Sequence, residues 1–344
     1  MAKQHQPAGP VAGDPLWLAH RYDPVNDSVH FIHVTRDEHR AATFITDEYL
    51  GARDPVPMAR AEAVRTAAAP APMHFNFHSA FCCSTLLARA FDIEGVAMGL
   101  KEPVILNDLV GWRHRGAQPG QLGAVLDHAL TLLARPFAAG EAIVVKPSNL
   151  LNGLAPAILS MRPGARAILL EAPLRTYLAS VAKKGMWGRL WVRDLLGKQL
   201  KEGLVDLGFT PEDYFGQTDL QVAGVGWLAQ HALFGKLARS FGPERVRSLD
   251  SETLVARPEE AIAQTARLYG LALDKASIAG IANGPVFKRH SKFGGDFGQA
   301  ERAAEHRDAS ATHADEIAKV ATWIEAVADR LGLPMTSAAP LLEA

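Results

Sequence analysis

Two adjacent hydroxyl side chains, Ser84 and Thr85, stand in a short turn that has the sequence context of an anion-binding site. An apolar run over residues 74–77 precedes the turn, and apolar residues at helical spacing follow it as far as Phe91. A strand, a tight turn and a helix N-terminus together present backbone N–H groups and a positive dipole end to an anion. We therefore predict that this turn binds a phosphate or a sulfate group.

The turn differs from a Walker A loop, whose glycines cradle phosphates and whose lysine contacts them. Its sequence, SAFCCSTLL over residues 79–87, has no glycine, and Phe81 stands where a lysine or arginine is expected. Another cation must therefore complete the site if a charged leaving group is stabilised here. The alternative is an ordinary strand–helix connection in which Ser84 caps the helix.

The chain has two cysteines, Cys82 and Cys83, and both lie in this turn. Neighbouring cysteines rarely close a disulfide, because the ring is strained, and two cysteines cannot form a cysteine framework or a zinc cluster. Either a reactive thiol lies at the helix N-terminus, where the dipole lowers its pKa, or both cysteines are small side chains that fit a tight loop. We expect no bound metal.

The composition argues against several classes of protein. The 344 residues include 36 basic and 37 acidic side chains, so the bulk charge predicts no affinity for nucleic acid. No apolar run is long enough to span a membrane, and the first 15 residues do not have the pattern of a secretory leader. We expect a cytoplasmic protein that binds neither nucleic acid nor membranes, and the oligomeric state stays open.

From residue 74 onwards, short apolar runs alternate with amphipathic stretches. This alternation predicts a parallel sheet covered by helices on both faces. Strands are predicted over residues 74–77, 96–100, 142–145, 165–170 and 245–250, and helices from Ser84 and over residues 121–137, 149–161, 174–183, 222–241, 258–269 and 317–331. We predict a three-layer α/β domain over residues 71–344, with a helical C-terminal half and a ligand crevice at the carboxyl ends of the strands.

The N-terminal part lacks this alternation. Residues 1–14 are predicted to form a disordered tail. Residues 28–45 contain two β-type runs around a polar turn at 36–40, which predicts a hairpin, and the Ala/Pro-rich residues 55–73 predict a short helix and a linker. Residues 15–70 would thus form a small β-hairpin extension in front of the α/β domain.

Three segments resemble the P-loop sulfotransferases that use 3′-phosphoadenosine 5′-phosphosulfate (PAPS), especially the bacterial ones. SAFCCSTLL is similar to that family's GRCGSTLL loop. Residues 144–180 are similar to its pattern EKTPxN…LP…FPxARFIxLxRDP…S, and residues 245–274 to its later segment YEDLxxDPxxxLxxLxxFLGL. The matches follow the family's order over roughly residues 74–300. The resemblance implies a divergent member with a P-loop fold and with PAPS as co-substrate.

The resemblance also implies which groups hold the two ends of PAPS. The 5′-phosphosulfate would contact backbone amides and hydroxyls of the turn, namely those of Ala80, Phe81, Cys82, Cys83, Ser84 and Thr85. The 3′-phosphate would contact Ser180, but Glu171 stands where the family has an arginine. Arg175 would substitute for that arginine, unless it is merely solvated. A basic segment with Lys288, Arg289 and Lys292 resembles the loop that closes on the 3′-phosphate, or is a solvated loop.

Sulfuryl transfer depends on preorganised positive charge at the departing oxygen. Lys146, at the end of a predicted strand, matches the lysine of the family's KTP motif. We take it as the first candidate for the cation that Phe81 cannot supply, with Lys101 and His78 as alternatives.

The reaction also needs a base that accepts the proton of the acceptor. Glu102 lies where several members of the family have a catalytic glutamate; the alternative is a structural salt bridge to Lys101 or Arg113. His78, next to the turn, and His290, in the predicted loop, can each act as a base or as an electrophilic donor, or be structural.

The predicted function is transfer of a sulfuryl group from PAPS to a hydroxyl or amine of a small-molecule acceptor. The alternatives are a P-loop phosphotransferase that uses ATP or GTP, and a degenerate relative that binds a nucleotide or a partner without catalysis. Residues 107–120 and 186–193 and the N-terminal hairpin are predicted to surround the acceptor. Trp112, Trp187 and Trp191 would stack on it or belong to the core.

Overall fold

A five-stranded parallel sheet forms the centre of the molecule, as seen in a computed structural model that describes residues 11–288 and 313–343. Its strand order is β5-β6-β4-β7-β8. The strands are β4 (Met73–His78), β5 (Ala97–Lys101), β6 (Ala142–Lys146), β7 (Ala167–Glu171) and β8 (Val246–Asp250). Nearly every residue in them is buried, since both faces are covered, and this explains their continuous apolar runs. The predicted three-layer α/β architecture is confirmed.

Helices pack on both faces of this sheet. The described helices that follow β4 are α4 (Ser84–Ala90), α5 (Val104–His114), α6 (Pro119–Leu133), α7 (Ala155–Met161), α8 (Leu174–Lys183), α9 (Gly185–Lys201), α10 (Pro211–Gly216), α11 (Asp219–Phe241), α12 (Ser251–Ala256), α13 (Pro258–Tyr269), α14 (Lys275–Ala282), α15 (Pro285–Lys288) and α16 (Ala314–Arg330). One apolar cluster contains residues of α5, α6 and α7, and the other contains residues of α4, α8, α13 and α16. The long helix α11 contributes to both, because it passes from one face of the sheet to the other.

The N-terminal extension differs from the predicted hairpin. It is an antiparallel sheet of β1 (Trp17–Asp23), β2 (Ser28–His33) and β3 (Val56–Ala59), with short helices α1 (Arg36–Ala41), α2 (Asp47–Leu50) and α3 (Arg60–Thr66). Residues 36–40, which were predicted to form a polar turn, belong to helix α1, because Thr35 and Glu38 form a capping box at the start of this helix. Strand β2 pairs with β1 and β3. Residues 42–45, at the end of the predicted hairpin, form no strand.

Two further predictions about loops are wrong. Residues 11–13, expected to lie in a disordered tail, form a 3-10 turn whose carbonyls accept hydrogen bonds from Arg135; Nη1 of that residue lies 2.7 Å from the Ala12 carbonyl oxygen. Residues 1–10 lie outside the described residues. Helix α5 occupies much of the segment 107–120 that was predicted to be an acceptor-binding loop.

The acid sensitivity of the fold can be predicted from His74. Its imidazole is buried in β4, stacks on Tyr269 with ring centroids 4.8 Å apart, and accepts a hydrogen bond from the Arg166 N–H. Burial, with help from Arg166, lowers the pKa of His74 from 6.5 to about 4. As the pH falls through this range, the unfolded chain binds a proton that the folded protein does not. The free energy of unfolding should therefore fall by up to ~1.4 kcal/mol per pH unit from this group.

His74→Gln should reduce that pH dependence, whatever it does to stability at neutral pH. Urea denaturation of both proteins at about pH 7 and about pH 4.5 measures the two slopes. An equal loss of stability on acidification in the variant would contradict the assignment.

Candidate functional site

The turn between β4 and α4 has an unusual backbone. Ala80, Phe81 and Cys83 adopt positive φ angles of 75°, 51° and 63°. A residue with a Cβ atom pays about 1–2 kcal/mol for the left-handed conformation, which glycine adopts freely. Successive residues of alternating hand point their N–H groups into a concave nest that attracts anions. Cys83 is left-handed directly before the helical Ser84, so the turn contains one such alternation, and it forms without a glycine.

His78 holds the start of this turn. Its Nδ1 accepts a hydrogen bond from the Ala80 N–H at 3.1 Å, and its Nε2 lies 3.0 Å from the carbonyl oxygen of Pro147 and donates to it. Asn152 donates a hydrogen bond to the His78 carbonyl at 3.0 Å. Because both ring nitrogens are used by backbone groups, the geometry gives His78 a structural role, and not that of the predicted base.

The N-terminus of α4 contains a buried hydroxyl group with an unused hydrogen-bonding capacity. Thr85 is 2% exposed, and its Oγ1 has no hydrogen-bond partner among the described residues. The side-chain amide nitrogen of Asn149, which follows β6, is also buried and has no hydrogen-bond partner among the described residues. Buried polar atoms are nearly always paired, so an unpaired atom indicates a missing partner such as a ligand or water. Asn149 was not predicted as a site residue, although Pro147, Ser148 and Asn149 are similar to the PxN part of the motif quoted above.

Lys146 and Glu102 form an ion pair at the adjoining strand ends. Lys146 is the last residue of β6, and Glu102 directly follows β5, the neighbouring strand. The lysine Nζ donates to Glu102 Oε1 and lies 4.8 Å from the centre of the Phe44 ring. The Glu102 N–H also donates to the Lys146 carbonyl at 2.7 Å, with the Glu102 backbone at a φ of 54°. The side chain of Lys146 is 1% exposed and that of Glu102 is 18% exposed, so the carboxylate is the member of the pair that solvent or a ligand reaches.

The charge of Lys146 also acts on the turn. Burial raises the pKa of the Cys82 thiol, and the positive charge of Lys146 opposes this shift only in part. Cys82 is therefore a buried neutral thiol at physiological pH, which favours the prediction of a small packing side chain over that of a reactive one. The hydrogen bond between His78 and the carbonyl of Pro147 places the chain directly after Lys146 next to the start of the turn.

Phe81 replaces the expected cation with an aromatic contact. Its ring lies 5.3 Å from that of Trp191 in an edge-to-face arrangement and 5.9 Å from that of Tyr177. Trp187 stacks on Trp191 at 6.3 Å and is 60% exposed. Trp112, the third predicted acceptor contact, instead packs on Tyr22 at the N-terminal sheet. The wall beside the turn is thus aromatic and partly exposed.

The other candidate cations near the carboxyl edge have structural partners. Lys101 donates to the carbonyls of His39 and Arg40 at 2.6 and 3.0 Å, and burial lowers its pKa to about 7. Arg113 pairs with Glu202. Glu102 therefore pairs with Lys146, and neither of the salt bridges predicted for it, to Lys101 or to Arg113, forms.

Two of the residues predicted to bind a 3′-phosphate have partners within the protein. Arg175 pairs with Glu325 of α16 at 3.5 Å, and Ser180 donates to the Thr176 carbonyl at 2.9 Å. Glu171, at the position of the family's arginine, is buried and contacts His231, so it offers no positive charge to a second phosphate. Lys288, at the end of α15, is exposed, whereas Arg289, His290 and Lys292 lie outside the described residues.

The described residues, 11–288 and 313–343, contain no group of three or more His, Cys, Asp or Glu side chains that could hold a metal ion. None of the helices in this part of the chain is long and apolar enough to cross a membrane.

Comparison with known proteins gives structural likeness alone. No known family matches the sequence, and no curated protein matches it. The sulfotransferase domain from the curacin biosynthetic pathway is 13% identical and has a TM-score of 0.43, over 78% of this chain and 99% of that domain. A sulfotransferase from Mycobacterium avium is 13% identical with a TM-score of 0.43, over 74% of this chain and 78% of that one. The sulfotransferase domain of the Synechococcus PCC 7002 olefin synthase is 15% identical with a TM-score of 0.38, over 63% of this chain and 78% of that one. Values this low do not assign an activity.

Proposed function

We propose that this protein transfers a sulfuryl group from PAPS to a hydroxyl or amine of a small-molecule acceptor. The observation that carries the proposal is the convergence of an anion-binding turn with an ion pair of Lys146 and Glu102. The turn contributes a left-handed backbone at three residues and the unpaired Thr85 hydroxyl at a helix N-terminus. These features favour a tetrahedral anion beside a buried ammonium group.

Lys146 and Glu102 have different roles in the proposed reaction. The acceptor oxygen or nitrogen attacks sulfur, the bond between sulfur and the bridging oxygen breaks, and 3′,5′-bisphosphoadenosine leaves. Lys146 stabilises the negative charge that develops on the bridging oxygen, in the role that Phe81 cannot take. Glu102 accepts the acceptor's proton, because its carboxylate is the exposed member of the ion pair.

The two ends of PAPS fit this chain unequally. The 5′-phosphosulfate fits the turn, where the Thr85 hydroxyl lacks a partner. The 3′-phosphate fits less well, because Glu171 stands where the family has an arginine and offers it no positive charge. Adenosine 5′-phosphosulfate, which lacks this phosphate, is therefore the informative comparison with PAPS in any assay of donor use.

A thermal-shift comparison separates the proposal from its alternatives. A ligand that binds only the folded state raises Tm. Stabilisation by 3′,5′-bisphosphoadenosine, greater than that by ATP or GTP, is expected for a sulfotransferase. Preference for ATP or GTP with Mg²⁺ would instead support a phosphotransferase, and binding without sulfate transfer to any acceptor would support a non-catalytic relative.

Thr85→Ala should weaken binding of 3′,5′-bisphosphoadenosine by roughly 1–2 kcal/mol, which is the size of one hydrogen bond to a charged group. The matched control is Thr85→Ser, which keeps the hydroxyl and should bind nearly as the wild type does. Isothermal titration measures both affinities. Unchanged affinity in Thr85→Ala and in Ser84→Ala would place the anion elsewhere.

A further inference from the structure

A cavity of about 420 Å³ lies at the carboxyl ends of β7 and β8. Residues 335–342 form one side of it, held to β8 by hydrogen bonds from the Leu341 N–H to the Ser248 carbonyl at 2.7 Å and from the Ser248 N–H to the Ala339 carbonyl at 3.0 Å. The described residues that line it include neither the turn nor Glu102 or Lys146. The cavity is therefore separate from the turn and from the Lys146–Glu102 pair, although it includes Glu171, the residue at the position predicted for the 3′-phosphate.

One carboxylate in this cavity is already neutralised. Glu171 contacts His231 Nδ1 at 2.8 Å and accepts a hydrogen bond from the Ser337 hydroxyl at 2.5 Å. Burial alone would lower the pKa of His231, but the hydrogen bond to Glu171 and its charge outweigh burial and raise it. Glu171 and His231 thus form a paired anion and cation.

A second carboxylate has no cationic partner among the described residues. Asp250 lies beside Glu171 in the sheet register, and its Oδ1 caps α12 by accepting hydrogen bonds from the N–H groups of Glu252 and Thr253 at 2.8 and 3.1 Å. No salt bridge or side-chain hydrogen bond neutralises it in the described part of the chain. The cavity therefore retains a net negative charge after Glu171 and His231 are paired.

Ser248 adds an unpaired hydroxyl group at the same place. It lies two residues before Asp250 on β8, so both side chains project from the same face of the strand. Ser248 lines the cavity and is 2% exposed, and its Oγ has no hydrogen-bond partner among residues 11–288 and 313–343. Apolar side chains form much of the remaining wall, among them Trp227, Leu249 and Leu342.

We propose that this cavity binds a small molecule that carries a primary ammonium group on a largely apolar body. The ammonium would lie between the Asp250 carboxylate and the Ser248 hydroxyl, and the body would pack on Trp227 and Leu249. A cation is the complement that a partly buried, uncompensated carboxylate lacks. The volume is within the range of small-molecule sites. This inference does not depend on the proposed sulfuryl transfer.

Three probes of nearly equal size test the proposal by isothermal titration of the full-length protein. Tyramine carries an ammonium group, tyrosol has a hydroxyl in its place, and 4-hydroxyphenylacetate has a carboxylate. Tyramine should bind at least ~10-fold more tightly than tyrosol, because a charged hydrogen bond replaces a neutral one, and 4-hydroxyphenylacetate should bind most weakly. Equal affinities for tyramine and tyrosol, or no binding of tyramine at millimolar concentration, would overturn the proposal.

Asp250→Asn locates the binding to this cavity. Asparagine caps a helix as well as aspartate does, so the variant should fold, which circular dichroism checks. It should remove the preference for tyramine over tyrosol while leaving the affinity for 3′,5′-bisphosphoadenosine unchanged. Asp274→Asn makes the same substitution at the cap of α14, outside the cavity, and should leave tyramine binding unchanged. An undiminished preference in Asp250→Asn, or an equal loss in Asp274→Asn, would contradict the assignment.

Discussion

Replacing Lys146 with methionine should lower the turnover of sulfuryl transfer at least ~100-fold, since removal of one preorganised group at a developing oxyanion costs on the order of 3–4 kcal/mol. Lys146 pairs with Glu102, and Pro147, the next residue, contacts His78 at the start of the turn, so Lys146 is our candidate for the cation of the site. Its surroundings exclude water, so its charge is weakly screened. Methionine preserves much of the side-chain volume and removes the charge. Transfer of labelled sulfate from PAPS to a panel of phenols and amines measures the loss.

The matched control is Lys101→Met. Lys101 is also a buried lysine at a strand end, in register with Lys146 on the neighbouring strand, but its ammonium donates to the carbonyls of α1. Its loss should lower Tm, because two buried carbonyls lose their donor, and should leave the turnover of the folded protein unchanged. Full activity in Lys146→Met would dismiss the assignment, and equal losses of turnover in both variants would show that the effect is structural.

Replacing Glu102 with glutamine should depress turnover about 100-fold or more, which is the range of a general base, with a much smaller effect on donor affinity. Glutamine keeps an oxygen that accepts the hydrogen bond from Lys146, so the geometry of the strand ends is preserved, but it cannot take a proton from the acceptor. A loss confined to kcat indicates an interaction made in the transition state. Initial rates, together with titration of 3′,5′-bisphosphoadenosine, separate the two quantities.

Glu102→Asp is the informative companion to this variant. It restores a carboxylate on a shorter side chain, so partial recovery of turnover is expected if Glu102 acts as a base. Wild-type turnover in Glu102→Gln would leave Glu102 as a structural partner of Lys146 only. A large loss of donor affinity in Glu102→Gln would indicate that the pair shapes the donor site and does not transfer protons.

Local pattern was sufficient to predict the strands of the central sheet and several helices of the α/β domain. The apolar runs around residues 74–77, 142–145 and 165–170 form neighbouring strands of one sheet, and helix α8 has the predicted bounds. These features depend on periodicity and on residue types that lie close together in sequence. The N-terminal hairpin was predicted less well, because its strands pair across an intervening helix and the capping box at Thr35 outweighs β-type propensity.

For the candidate site, the sequence led to predictions of individual residues but not of the partners that they contact. A strand followed by a hydroxyl-rich turn and a helix led to the prediction of an anion site. The resemblance to the sulfotransferases, together with their positions after strands, led to the roles predicted for Lys146 and Glu102. Only the tertiary structure decided that those two side chains pair, that His78 is committed to backbone groups, and that Arg175 pairs with Glu325. Apart from the local contact between His78 and Ala80, the partners in these interactions are distant in sequence. Local periodicity specifies which residues enter a strand or a helix, whereas the strand order and the path of the helices determine which charged groups meet at the carboxyl edge.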